Sequence, residues 1–160
     1  MPVMTVARPV SQSQTAYDLM SVSFEVDKRP PGAPLSKSDA RRVEQMRRLA
    51  AARLHYCALA ELVEPVRLIV SELVTNALEH GEGPVTFTLL WSRGTVEITV
   101  RDGSSERPKE QNPNPTSENG RGLLLVAWIA DEHDGAWGIR RGGRETWCTL
   151  QAPSPGGGAA

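Results

Sequence analysis

Aromatic residues are scarce in this 160-residue chain: two Phe, two Tyr and four Trp. They do not alternate with basic residues, so no stacking platform for single-stranded nucleic acid is expected. No charge of either sign dominates. Lys and Arg number 18 against 19 Asp and Glu, a net charge of −1, and the electrostatic footprint of a DNA- or RNA-binding domain is missing. Cysteine is almost absent. Cys57 and Cys148 are far apart, which suits reduced thiols in a cytosolic protein better than a disulfide framework. Each reads as a small core residue. His55 and His133 have no metal-ligand spacing with either cysteine, so no zinc site is expected. The first residues, MPVMTVARPVSQSQ, contain no long apolar run, which predicts neither signal peptide nor membrane span and a cytoplasmic location. The length suits one domain with one substantial core.

The organisation follows from hydrophobic period and turn residues. Residues 1–20 are rich in Ser, Gln, Pro and Thr without a period and read as a flexible tail. SVSFEV at 21–26 alternates and predicts a short strand. After the Pro/Gly loop KRPPGAP, Ser36 or Ser38 can cap a helix running to about Cys57. Its apolar stripe is Val43, Met46, Ala50 and Leu54, and its arginines are Arg41, Arg42, Arg47, Arg48 and Arg53. Pro65 suits the first turn of a second helix that buries Val66, Ile69, Val70, Leu73 and Ala77 and stops at Gly81. Residues 85–91 and 95–101 read as a hairpin across Ser92-Arg93-Gly94. The polar stretch 103–119 is too long for an ordinary connection. A third helix at 122–130 and a hairpin of 137–140 with 145–151 around Gly142-Gly143 complete the domain, 21–151, before a flexible tail at 152–160. Trp91, Trp128, Trp137 and Trp147 are expected in core or edge packing. The pattern β, α, α, β, β, loop, α, β, β predicts an α+β fold, a two-layer sandwich with a mostly antiparallel sheet and about three helices on one face.

Three segments carry chemistry. SELVTNALEHG at 71–81 holds Glu72 and Asn76 four residues apart on a helix, hence on one face. A carboxylate accepts a proton from a hydroxyl or a water, and an amide oxygen ligates a hard cation such as Mg²⁺. Alone the pair also fits a solvated helix face. VRDGS at 100–104 ends an alternating strand on Asp102, followed by Gly103; alone, Asp-Gly is also a turn. GRGLLLVAWIAD at 120–131 opens an apolar helix with Gly120 and Gly122, where bare backbone N–H groups and the helix start attract phosphate. His80 suits a cap on the last carbonyls of its helix.

In this order, and with GGRETWCTL at 142–150, these segments resemble the gyrase/histidine-kinase ATPase superfamily, and within it the bacterial anti-sigma factor serine/threonine kinases. The likeness covers roughly residues 34–150. It implies an α/β sandwich of that type, a homodimer, and ATP with Mg²⁺ as cofactors. It implies Glu72 as general base, Asn76 as Mg²⁺ ligand, and Asp102 with Gly103 at the adenine. Gly120, Arg121 and Gly122 fall at the phosphates, Leu123 in the pocket wall, Thr149 or Thr146 at the adenine edge, Arg144 as a retained cation, and 103–119 as a lid. One departure stands out: two glycines expected after Asp102 are Ser104 and Glu106. The implied activity is phosphorylation of a serine on a STAS-type anti-sigma antagonist and sequestration of a sigma factor, with the arginine-rich first helix near the partner surface. The alternative is a non-catalytic ATP-binding module that acts by sequestration alone.

Overall fold

The computed structural model describes residues 3–6, 17–30, 32–103 and 118–153. Six strands form one antiparallel sheet: β1 (Val3–Val6), β2 (Tyr17–Phe24), β3 (Val85–Ser92), β4 (Thr95–Arg101), β5 (Trp137–Arg140) and β6 (Glu145–Gln151). Their order across the sheet is β1-β2-β3-β4-β6-β5. Three helices, α1 (Lys37–Tyr56), α2 (Val63–His80) and α3 (Glu118–Glu132), join them, with a single 3₁₀ turn at Ala60–Leu62. The α+β sandwich expected from the sequence is the fold observed.

Alternation builds the sheet. Met20, Val22 and Phe24 of β2, Val85, Phe87 and Leu89 of β3, Val96, Ile98 and Val100 of β4, and Cys148 and Leu150 of β6 are all buried. They share one face, because successive side chains point to opposite sides. The other face carries hydroxyls and charges: Ser23 meets Thr86 at 2.9 Å and Ser21 meets Thr88 at 3.3 Å across the β2–β3 ladder. Arg140 of β5 crosses Trp147 of β6, its guanidinium 5.7 Å from the ring centroid, and reaches both Glu145 and Glu97.

Helix α1 starts where Ser36 accepts the Asp39 N–H at 3.0 Å, so Ser36 rather than Ser38 is the cap. It buries Met46, Ala50 and Leu54, with Val43 partly buried against them. Helix α2 buries Val66, Ile69, Val70, Leu73, Val74 and Leu78. Asp18 is buried on the inward face of β2 among apolar residues, and Arg53 of α1 answers it with a two-nitrogen ion pair. That pair ties the end of α1 to the sheet.

Four details differ from the sequence reading. Val3–Val6 forms an edge strand inside a segment that composition marked as tail. β2 begins at Tyr17 and ends at Phe24 rather than spanning 21–26; its first half alternates a buried charge, Asp18, with ordinary residues, which masks the apolar period. α3 begins at Glu118, so Gly120 and Gly122 lie inside its first turns rather than ahead of them. Trp128 is 60% exposed instead of packed. Of the long polar stretch, residues 104–117 lie outside the described residues.

Candidate functional site

The last turns of α2, the ends of β4 and β6 and the start of α3 enclose a cavity of about 110 Å³. Helix α2 gives it Leu73, Asn76, Ala77 and His80. These stand at i, i+3, i+4 and i+7, one helical face. The same stripe that packs inward near Leu73 therefore turns polar toward the helix end. Strand β4 gives Val100 and Asp102, and the β5–β6 hairpin gives Ile139, Gly143, Arg144 and Thr146. Leu123 of α3 closes the remaining side.

Strand parity explains the sheet contribution. Asp102 continues the inward series Val96, Ile98, Val100, so its carboxylate points to the helix layer rather than to water. Val100 pairs with Thr146, and Ile139 of β5 pairs with that same Thr146, which sets the three in a row across three strands. The Asp102 N–H donates to the Arg144 carbonyl at 2.9 Å and extends the ladder one residue past β4. The Gly103 N–H donates to the Glu82 carbonyl at 2.7 Å. The cavity thus has apolar walls of Leu73, Ala77, Val100, Leu123 and Ile139 around a few polar groups, the usual composition of a small-molecule site.

Two glycines create the close approaches. At Gly81 a Cβ would stand 2.5 Å from the Ala77 carbonyl oxygen and 2.6 Å from the Asp102 Cβ. Only a bare backbone lets the end of α2 and the end of β4 come together. At Gly122 a Cβ would fall on the Glu72 carboxylate oxygen Oε2. The general-base candidate thus rests against the backbone of α3, although it does not line the cavity. Burial, with a further push from the nearby Glu79 charge, holds the Glu72 carboxyl above the ordinary carboxylate range.

Asn76, Asp102 and Leu123 are brought into one cavity, and Glu72 is one helical turn from Asn76 with Gly122 against it. Gly103 is next to the cavity through its bond to Glu82. Gly120 and Arg121 belong to the first turns of α3, whose backbone alone is described there. Thr149 is elsewhere: it has the opposite parity to Thr146 on β6, and its hydroxyl accepts the Ala136 N–H at 3.0 Å. Thr146 is the threonine at the cavity. His80 lines the cavity beside Glu79, 3.6 Å away. Leu73, Ala77, His80, Val100, Ile139 and Gly143 were not singled out as site residues from sequence. For the α2 members the signal was there, since they share Asn76's helical face. For the hairpin members it was not, because their place depends on the β4–β6 register.

The cavity suits a flat heterocycle with an amino group for Asp102. The oxygen of the Asn76 amide is an electron-pair donor of the kind Mg²⁺ accepts, while the space beside Gly122 is taken by the Glu72 carboxylate. Among the described residues no cluster of three or more His, Cys, Asp or Glu could hold a metal. No helix of the described residues is long and apolar enough to cross a membrane.

The family described as the histidine kinase-like ATPase domain matches residues 36–151. No curated protein matches the chain.

Proposed function

Since the chain belongs to the histidine kinase-like ATPase domain family, whose fold binds ATP, we propose that it is a serine/threonine protein kinase with anti-sigma activity. It would use Mg·ATP to phosphorylate a serine of a STAS-type antagonist, and hold a sigma factor when that antagonist is absent. The observation that carries the catalytic part is the junction of Glu72, Asn76 and Gly122 beside the cavity of Asp102. A pure nucleotide binder has no use for a carboxylate held partly desolvated against a bare helix backbone.

Each residue has a separable task. Asp102 accepts a hydrogen bond from the amino group of adenine, a contact guanine lacks. Leu73, Val100, Leu123 and Ile139 hold the faces of the base. A cavity of about 110 Å³ is below the roughly 300–1,000 Å³ of typical ligand sites, so it would hold the base, with Asn76, Gly120 and Arg121 the residues proposed for the metal and phosphates. Mg·ATP, when bound, supplies the phosphoryl group and neutralises its charge. Asn76 orients the metal. Glu72 takes the proton of the attacking serine hydroxyl; its raised proton affinity strengthens it as an acceptor near neutral pH. The Arg-rich face of α1, with Arg41 and Arg48 exposed, supports an acidic partner surface, and a second copy of the chain completes a dimer.

Ser104 and Glu106, in place of two glycines, favour the second reading, a module that binds ATP and partners without transfer. Incubation with γ-labelled Mg·ATP and candidate STAS proteins separates the two. Label on a serine of the antagonist, lost in Glu72→Ala, supports the kinase. Saturable ATP binding by calorimetry with no transfer to any of them selects the module.

A further inference from the structure

The turn that ends α2 is held from outside by a side chain far away in the sequence. α2 stops at His80, and Gly81 turns the chain into extended backbone (φ −83°, ψ 167°). A helix end leaves its last carbonyls without intrahelical donors. The Ala77 carbonyl still receives the Gly81 N–H at 2.8 Å. The Leu78 carbonyl receives Arg29 Nη2 at 3.1 Å, across 49 residues of chain. A cation there also meets the partial negative charge of the helix C-terminus.

Arg29 reaches α2 from a loop that is stapled to the start of α1. The Ser36 hydroxyl donates to the Asp27 carboxylate at 2.7 Å, and the Asp27 N–H reaches Asp39 Oδ1 at 3.4 Å. Asp39 is buried in the first turn of α1. Burial pushes its carboxyl up, while the Asp27 N–H and the Arg29 charge hold it down. Arg29 Nη1 and Asp39 Oδ2 are both buried with no hydrogen-bond partner among the described residues, so the two charges act on each other through space. Arg29 is thus anchored beside α1 and aimed at α2.

The turn it holds is the one that abuts Asp102. A Cβ at Gly81 would stand 2.6 Å from the Asp102 Cβ. One residue on, the Glu82 carbonyl accepts the Gly103 N–H at 2.7 Å. Gly103 is itself packed on this turn, where a Cβ would come within 2.8 Å of Pro84 Cδ. A shift of residues 78–82 is therefore a shift of Asp102.

We propose that Arg29 is a specificity-determining positioning residue: by holding the Leu78 carbonyl it fixes the direction in which Asp102 presents its carboxylate to a base. Arg29 is not part of the cavity lining, and in this role it touches no ligand. The role rests on the reading of the Asp102 cavity as the adenine site. A hydrogen bond to an amino group is directional, so a carboxylate that can swing loses discrimination between bases before it loses contact.

The test is calorimetry of Mg·ATP and Mg·GTP binding to the full chain, at a temperature where every variant is folded. Wild type should prefer ATP. Arg29→Met keeps the length of the stem without the cation. It should cut the ATP-over-GTP preference at least about fivefold, the lower end of couplings between linked sites. Should the stranded Asp39 unfold that variant, Arg29→Met combined with Asp39→Asn removes both charges and should show the same cut. Loss of stability alone scales both nucleotides together and leaves their ratio as it was. Lys28→Met removes a neighbouring exposed cation and should keep the wild-type ratio. An unchanged ratio in the folded Arg29 variant, or an equal cut in Lys28→Met, overturns the role of Arg29 and leaves the adenine reading standing. No preference for ATP in wild type overturns the adenine reading, and the role of Arg29 with it.

Discussion

Glu72 is held where burial and the Glu79 charge both favour its protonated form. Its proton affinity is higher folded than unfolded. Between the ordinary carboxylate value and the raised one, the native state binds more protons, so stability falls as pH rises through that window. Glu72→Gln removes this charge. It should melt higher than wild type at pH 7.5 and show no advantage near pH 4, where the wild-type carboxyl is already neutral; matched thermal melts at both pH values check this. The same variant should lose about 10²–10⁴ of phosphoryl transfer while ATP affinity measured by calorimetry holds. Equal losses of both would remove Glu72 from the role of base. Gly122→Ala addresses the same contact from the other side. The added methyl meets the flexible end of Glu72, so the chain should fold with a melting point within a few degrees of wild type, the alanine being also the better helix former. The displaced carboxylate should then show as lost transfer.

Between elements, two junctions carry the site. Gly81 lets α2 end against Asp102, and Gly81→Ala sets a methyl against both the Ala77 carbonyl and the Asp102 side chain. Overpacking of this kind costs typically about 1–3 kcal/mol. A lower urea midpoint together with weaker ATP binding is expected, since the methyl pushes on Asp102, the residue proposed to read adenine. The Asp18–Arg53 pair joins β2 to α1 with Asp18 buried. Asp18→Ala removes the carboxylate that Arg53 pairs with and should cost about 3 kcal/mol, the low end for breaking a buried pair, with no change in ATP affinity because neither residue lines the cavity. Much of this arrangement was legible in the chain. The helix periods, a cap at Ser36 or Ser38, the hairpin across Arg93-Gly94 and the alternating strand that ends on Asp102 are local, and local chemistry writes them. The start of α3 was not, because two glycines look like a break until the backbone is seen to stay helical through them. Thr146 and Thr149 were indistinguishable for another reason: which of two threonines faces the helices is a matter of register, and register is settled by the partner strand β4.

For the molecule as a whole, ligand binding and folding share one equilibrium. The cavity proposed for the nucleotide draws on α2, α3, β4 and the β5–β6 hairpin, so on that proposal most of the fold must be in place before ATP finds a site. Mg·ATP at about a hundred times its dissociation constant should add roughly 2.7 kcal/mol. That corresponds to a rise of roughly 5–11 °C in melting temperature for a domain of this size. GTP at the same concentration should raise it less, because Asp102 has no amino group to meet at that edge. An identical shift for both would remove Asp102 as the base reader.

The two thiols turn this architecture into a pair of clocks. Cys148 lies in the middle of β6 with no exposed surface, and burial pushes its thiol up to about 12. Cys57 closes α1 and is only half buried, its thiol pushed up to about 11 by burial and then by the Asp18 charge. Alkylation needs the thiolate, so at pH 8 the folded chain is close to silent at both positions. Cys57 should acquire label whenever the last turn of α1 frays. Cys148 should wait for β6 to leave its neighbours, which is unfolding of the whole sheet. In the presence of saturating nucleotide the Cys148 clock should slow many-fold while the Cys57 clock keeps nearly its own time. The ratio of the two labelling rates, read by mass spectrometry, then reports nucleotide occupancy without any probe attached to the nucleotide.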